Sequence, residues 1–307
     1  MTRGLAAAFA LEAFLAGAIA LTALDMRAHA RVENLGGVNI WGYRGPVVRT
    51  KRADEVRLLV GGGDLAFGWG VAPTETLAPY LRRLVALDVE TAGAGRIVTG
   101  TTAGALGLMP AEYARWLERF SFLHADVLCL VLDPPDRTPK RNDFLPDRGS
   151  LVFRRFGYSP ILPLVLEEKG ERIGSRTVQV AGSALAAIDD LTADRSVPAP
   201  PATGAVYLNA IGDAARAGLR LAPAGVVVVV PAPLGDAPDY SAVAAQLAAR
   251  FEGERRVRVV DLGRDRRLRA ASLRLDGFNF AAAGHSAVAE VVSPAVVDLI
   301  RAETGAR

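Results

Sequence analysis

The chain has 307 residues, half of them hydrophobic and 22% charged. That balance excludes a disordered or collagen-like polypeptide and supplies enough apolar side chain for one large core. A single cysteine, Cys129, excludes an intrachain disulfide and any cluster held by several thiolates, and the formal net charge is only +3. Arginines are dense from Arg255 to Arg269, but Asp261 and Asp265 interrupt them. The stretch reads as a solvated face, and no nucleic-acid partner is expected.

The N-terminus carries the first functional signal. Leu5 to Leu24 reads LAAAFALEAFLAGAIALTAL, apolar apart from Glu12 and Thr22. At about 1.5 Å per residue, such a helix crosses a hydrocarbon core of about 30 Å. A secretory signal has a shorter apolar region, about 7–15 residues, although Ala28-His29-Ala30 offers a small-residue cleavage pattern. The expectation is an uncleaved single-pass anchor over residues 1–30 with a transmembrane helix at about 5–24. A connecting segment over 31–55 and a domain over 56–307, outside the cytoplasm, complete the plan. Arg3 on one side faces Arg27 and Arg31 on the other, so charge bias leaves the orientation open. The helix makes membrane lipid a partner. Glu12, near mid-span, costs a few kcal/mol in lipid if ionised, and it marks a contact point for a membrane-protein partner.

Beyond the anchor, strands and helices alternate. Val56–Val60 reads as a buried strand, and a helix follows over about Ala78 to Leu87 with Pro79 in its opening turn. Arg96–Val98 reads as a second strand. Pro110 opens a helix to about Leu123, with Tyr113, Leu117 and Phe120 along one face. Val127–Leu132 is a third strand, with Cys129 a packed thiol inside it. Asp133–Gly149 reads as a long loop, Thr177–Val180 as an edge strand and Ser196–Gly204 as a surface linker. Val226–Val230 is a central strand, Ser241–Phe251 a helix, Val257–Val260 a strand, and Ala282–Val292 a helix that Pro294 ends. Continuous apolar strands alternating with helices predict a parallel sheet covered on both faces, with ligands beyond the strands' carboxyl ends.

The first strand runs into Val60-Gly61-Gly62-Gly63-Asp64-Leu65-Ala66-Phe67-Gly68-Trp69-Gly70. Gly61-x-Gly63-x-x-Ala66 formally matches a dinucleotide fingerprint, but Trp69, Gly70 and Pro73 intervene before the helix. The second strand also ends Thr99-Gly100, where a ribose-binding carboxylate belongs.

The same block, GGGDLAFGWGV, resembles the opening motif of the SGNH (GDSL-type) esterase family, Gly-Asp-Ser or Gly-Gly-Ser followed by Phe-Gly-x-Gly. Trp41-Gly42-Tyr43-Arg44-Gly45-Pro46 is similar to the lead-in of membrane-anchored members. Asp276-Gly277-Phe278-Asn279 followed by Ala283-Gly284-His285 resembles the closing block, where an Asp-x-x-His pair precedes a Gly-His helix start. The resemblance covers about residues 39–292. It implies a three-layer, flavodoxin-like α/β fold and a serine–histidine–aspartate mechanism on ester bonds, with no cofactor or metal.

The reacting positions differ from that pattern. The serine position holds Asp64, the histidine position holds Asn279, and Pro135-Asp136 stands where Asn-Asp is expected. Asp276 keeps the triad aspartate's place, and Gly63, Gly104 and Asp136 are the candidate ligand-binding residues. A carboxylate attacks esters poorly, Asn279 has no basic nitrogen, and proline donates no amide hydrogen. His285, His124 and the Asn142-Asp143 pair are poor substitutes by position. The expected function is a catalytically degenerate, membrane-anchored esterase-fold protein with a cleft for an acyl- or acetyl-ester lipid or glycan, or a scaffolding role. Asp64, Asp136 and Asp276 are expected to converge on one cleft, where Asn279 donates its amide to Asp64 or, as the alternative, the carboxylates take a hard cation such as calcium or magnesium. An esterase or acyltransferase with rearranged residues and, more remotely, a nucleotide-binding α/β protein are the alternatives.

Overall fold

The computed structural model describes residues 3–33, 37–91, 95–134, 160–174, 204–235 and 240–305. Five strands form one sheet: β1 (Glu55–Gly62), β2 (Ile97–Gly104), β3 (Val127–Val131), β4 (Gly225–Val230) and β5 (Val257–Asp261). Every pairing is parallel and the spatial order is β2-β1-β3-β4-β5. The β-branched runs explain the choice of strand, and burial on both faces explains why they are continuously apolar rather than alternating.

Successive residues of each strand serve opposite faces. Val56, Leu58 and Val60 of β1 join Cys129 of β3 and Val227 and Val229 of β4 in one core. It is covered by α3 (Leu77–Thr91) and α8 (Ala282–Gly305). Leu59, Leu128, Leu130, Val226 and Val228 face the other core. That side holds α4 (Tyr113–Glu118), α6 (Gly204–Leu221) and α7 (Ser241–Arg250). The result is the three-layer α/β arrangement expected from the alternation.

Two expectations are corrected. The helix foreseen from Pro110 to Leu123 is broken into a 3-10 turn at Pro110–Glu112, α4, and another at Ser121–Leu123, and His124 leaves it in a left-handed conformation at φ 49°. Pro294 does not end the last helix, which continues to Gly305. Proline removes the N–H that the Glu290 carbonyl would accept, and Ser293 Oγ approaches that carbonyl at 3.4 Å instead. Val288, Val292, Val296 and Ile300 are buried on both sides of Pro294, so packing outweighs the local cost. The predicted edge strand Thr177–Val180, nearly all of the Asp133–Gly149 loop, and the linker up to residue 203 lie outside the described residues.

The N-terminal helix α1 (Arg3–Glu33) is exposed at every position from Gly4 to Leu24. Its 27-residue apolar stretch, Gly4–Ala30, is long enough to cross a membrane. Large apolar side chains such as Phe9, Phe14, Ile19 and Leu24 are exposed all around it, so none of the described residues covers this stretch. The character changes at Asp25. Its buried carboxylate accepts the backbone N–H groups of Ile161 and Leu162, at 2.9 and 2.5 Å, at the start of α5 (Leu162–Ile173). One turn on, buried His29 lies 3.5 Å from Asp25, and its Nδ1 is 2.9 Å from the Val38 carbonyl oxygen. The last turns of α1 are therefore held against the start of α5 and against Val38.

Candidate functional site

In the order β2-β1-β3-β4-β5 the chain reverses direction across the sheet between β1 and β3. That is where ligands of open parallel sheets sit, beyond the carboxyl ends. β1 ends in Gly62, paired with Val131 of β3. Gly62 has φ 139°, and a Cβ there would fall 2.1 Å from the Val131 carbonyl oxygen, so only glycine permits this turn. The turn leads through Gly63 into the four-residue helix α2 (Asp64–Phe67), which starts with Asp64, only 5% exposed.

The amides at that helix start are already engaged. Asp133, two residues past the end of β3, accepts the N–H of Asp64 at 2.9 Å on Oδ2 and that of Leu65 at 3.0 Å on Oδ1. A Cβ on Gly63 would lie 1.9 Å from the same Oδ2, so the carboxylate fills the space above the turn. The Asp64 carboxylate in turn accepts the backbone N–H of Gly107. Tyr207 donates its hydroxyl to the Asp133 carbonyl at 2.8 Å. Burial first, then the nearby charge of Asp133, raises the Tyr113 phenol well above its ordinary value.

The closing block lies between β5 and α8. Asp276 accepts three hydrogen bonds, from the Phe278 N–H at 2.7 Å, the Asn279 N–H at 2.6 Å and the Asn279 side-chain amide at 2.9 Å. The expected bond from Asn279 to Asp64 is not formed; the Asn279 side-chain amide donates to Asp276, three residues back on the same tight turn. Asn279 is 8% exposed, and its Oδ1 is buried without a partner. Asp276 and Asn279 thus hold each other across one tight turn.

A buried cationic girdle joins the motifs. Arg44, 2% exposed, donates to the carbonyls of Phe67, Gly68 and Val71, at the C-terminal end of α2 and the turn after it. A helix carbonyl end is where a cation belongs, and this contact gives the Trp41–Pro46 lead-in its physical role. Gly68, in a left-handed conformation at φ 72°, leaves room for His285 of α8, whose Nε2 would lie 3.1 Å from a Cβ there. Arg274 stacks over the Phe280 ring at 3.9 Å and donates to the Phe278 and Ala232 carbonyls. Burial, followed by the charges of Arg44 and Arg274, pushes His285 down to about 3. It is neutral at physiological pH and locked in the core.

Of the sequence-derived residues, Gly63 lies beneath the Asp133 carboxylate and Asp64 lies beside it. Gly104 is packed against α2, where a Cβ would come within 2.4 Å of the Phe67 nitrogen. The backbone donor that reaches residue 64 is Gly107, three residues later. Asp136 lies outside the described residues. Asp133 and Arg44 were not singled out as functional residues. The signal for Asp133 was an acid at the very end of an apolar strand, and for Arg44 a lone cation in a Gly-Tyr-Arg-Gly turn. Cys129 is fully buried, and burial pushes its thiol up to about 12, so it offers no nucleophile. Among the described residues no group of three or more His, Cys, Asp or Glu side chains could hold a metal ion.

No family model and no curated protein matches the chain. Solved structures similar to it include a two-domain esterase active on acetylated mannans, at 11% identity and a TM-score of 0.44; the match covers 79% of this chain and 49% of that one. The chain therefore spans about half the length of that esterase. A catalytic mutant of an acetylxylan esterase from Geobacillus stearothermophilus is similar at 15% identity and a TM-score of 0.41, over 77% of this chain and 91% of that one. A structure described as a G-D-S-L family lipolytic protein, from Desulfitobacterium hafniense DCB-2, shares 10% identity at a TM-score of 0.40, over 78% and 98%.

Proposed function

We propose that this protein is a membrane-anchored SGNH-type esterase fold that binds at its sheet rim without cleaving esters. The observation that carries the reading is the Asp133 carboxylate on the N–H groups of Asp64 and Leu65. An ester hydrolase needs amide donors at the nucleophile turn, aimed at the charge that develops on the substrate oxygen. Here a fixed negative group occupies them, and a second, Asp64, occupies the Gly107 donor. A developing oxyanion would meet carboxylates where it needs hydrogen-bond donors. Asn279 adds a second deficit, since its amide accepts no proton at neutral pH. The same Asp133 contact weighs against a nucleotide reading, because a pyrophosphate would need the amides that the carboxylate holds. The ligand class that fits the family resemblance is an acylated or acetylated lipid or glycan, bound or scaffolded rather than turned over.

Retention of α1 belongs to the same proposal. Cleavage after Ala30 would remove Asp25 and His29, two buried groups with partners in the domain, and leave the Ile161 and Leu162 amides uncapped. The mature chain is expected to begin before Leu5 and to resist alkaline extraction from membranes. The function is tested by assaying the purified full-length chain with short-chain p-nitrophenyl esters. No turnover above a detergent blank is expected, and turnover that Asp64→Ala abolishes would overturn the proposal.

A further inference from the structure

The apolar helix α1 contains two polar residues between Leu5 and Leu24, and they differ in how they are satisfied. Thr22 Oγ1 donates to the Ala18 carbonyl at 2.8 Å within its own helix, so it crosses lipid at little cost. Glu12 forms no hydrogen bond or ion pair with any described residue and stands exposed near the middle of the span. An ionised carboxylate at that depth costs a few kcal/mol, whereas a neutral carboxyl is at once a donor and an acceptor, each needing a partner in a solvent that offers none.

The surface around Glu12 is built for close approach. Helix neighbours four residues apart form rows, and four such rows cover α1 from Gly4 to Ala23. Three of the rows carry Leu, Ile or Phe; the fourth is Gly4, Ala8, Glu12, Ala16 and Ala20, with no large apolar side chain. Rows of small residues at this spacing let two membrane helices cross right-handedly with their backbones near contact.

We infer that α1 pairs with a second copy of itself in the membrane along this row, the two Glu12 carboxyl groups hydrogen-bonding each other across a two-fold axis. This rests on the anchor reading above. Self-pairing fits the chemistry because a neutral carboxyl is complementary to its own two-fold image and leaves no net charge in the lipid. The row is also continuous, with small residues on both sides of Glu12, as an isologous contact requires.

The test uses the full-length chain in cell membranes. Ala16→Cys places a thiol beside Glu12, and Leu21→Cys places one on the opposite side of the helix, nine residues or about two and a half turns away. The native Cys129 is buried and contributes no background. With a membrane-permeant copper–phenanthroline oxidant, Ala16→Cys is expected to give disulfide-linked dimer and Leu21→Cys little. Adding Glu12→Leu to Ala16→Cys should weaken association roughly 3- to 30-fold. Glu12→Gln, which keeps a donor and an acceptor, should retain most of it. Equal cross-linking at both positions, or cross-linking indifferent to Glu12→Leu, overturns the inference. Alkaline carbonate extraction in parallel separates the failures. A chain that stays in the membrane as a monomer, including one that needs a basic partner helix, sinks the pairing alone. A chain released to the supernatant sinks the anchor with it.

Discussion

The engagement of the nucleophile-turn amides by Asp133 sets a quantitative condition on restoring catalysis. Asp64→Ser with Asn279→His reinstates the attacking hydroxyl and the base, and it frees the Gly107 N–H that the Asp64 carboxylate accepts. It does not free the amides at positions 64 and 65, which Asp133 accepts at 2.9 and 3.0 Å. Hydrogen bonds to a charged acceptor are worth about 1.5–3 kcal/mol each, so two hold the carboxylate in place by about 3–6 kcal/mol. An oxyanion competing for the same donors is disfavoured by a factor of roughly 10²–10⁴. Loss of a single oxyanion donor by itself costs about 10²–10³ in turnover. The double variant is therefore expected to stay near background on p-nitrophenyl acetate. Adding Asp133→Ala should raise turnover at least about a hundredfold, at a cost of about 2–6 kcal/mol in stability from the two amides left without an acceptor. Circular dichroism and thermal melts establish that each variant is folded. A double variant as fast as the triple would refute the argument that Asp133 blocks the donors. A folded but inactive triple variant would show that position 279 is out of reach of position 64.

Three further outcomes follow from the same contacts. Gly63→Ala puts a Cβ 1.9 Å from Asp133 Oδ2. It should lower Tm by several degrees, and Asp133→Ala should suppress most of that loss in a double-mutant cycle; a purely additive result would refute the clash. His285 is held at about 3, below its ordinary value near 6.5, so between those limits the unfolded chain binds a proton that the folded chain does not. Stability is then complete above about pH 6.5 and falls on acidification by up to about 1.4 kcal/mol per pH unit; denaturant titrations at pH 7 and pH 5 should show this slope, and His285→Gln should flatten it. Asp25→Ala should cost about 1–2 kcal/mol through loss of the cap on α5 and speed proteolysis near residue 160, whereas unchanged proteolysis would deny α1 a structural role.

The fold was legible because its signals are collective. Val226–Val230 and Val127–Leu132 could hardly be anything but buried strands, and the alternation with helices dictated a parallel, two-sided sheet. The misjudged elements were ruled by single contacts that no local pattern announces. Pro294 sits inside a helix because residues on both sides of it are buried, and α4 is short because the aromatic cluster around Trp116 and Phe120 and the left-handed turn at His124 close the segment early. At the candidate site, motif spacing pointed to positions 64, 276 and 279. The role of Asp133 depends on β1 and β3 lying side by side, a register visible only after the chain has folded. The same holds for Arg44, whose partners are 23 to 27 residues away in sequence.

The Asp25–His29 clasp also bears on how the domain meets its surroundings. A globular head on a slack leash samples every tilt and can reach soluble material in a wide shell. With α1 in the bilayer as proposed, the bonds from its final turns to Val38, Ile161 and Leu162 would narrow the range of tilts open to the head. Whatever engages the sheet's rim would then approach from a narrower range of heights and directions.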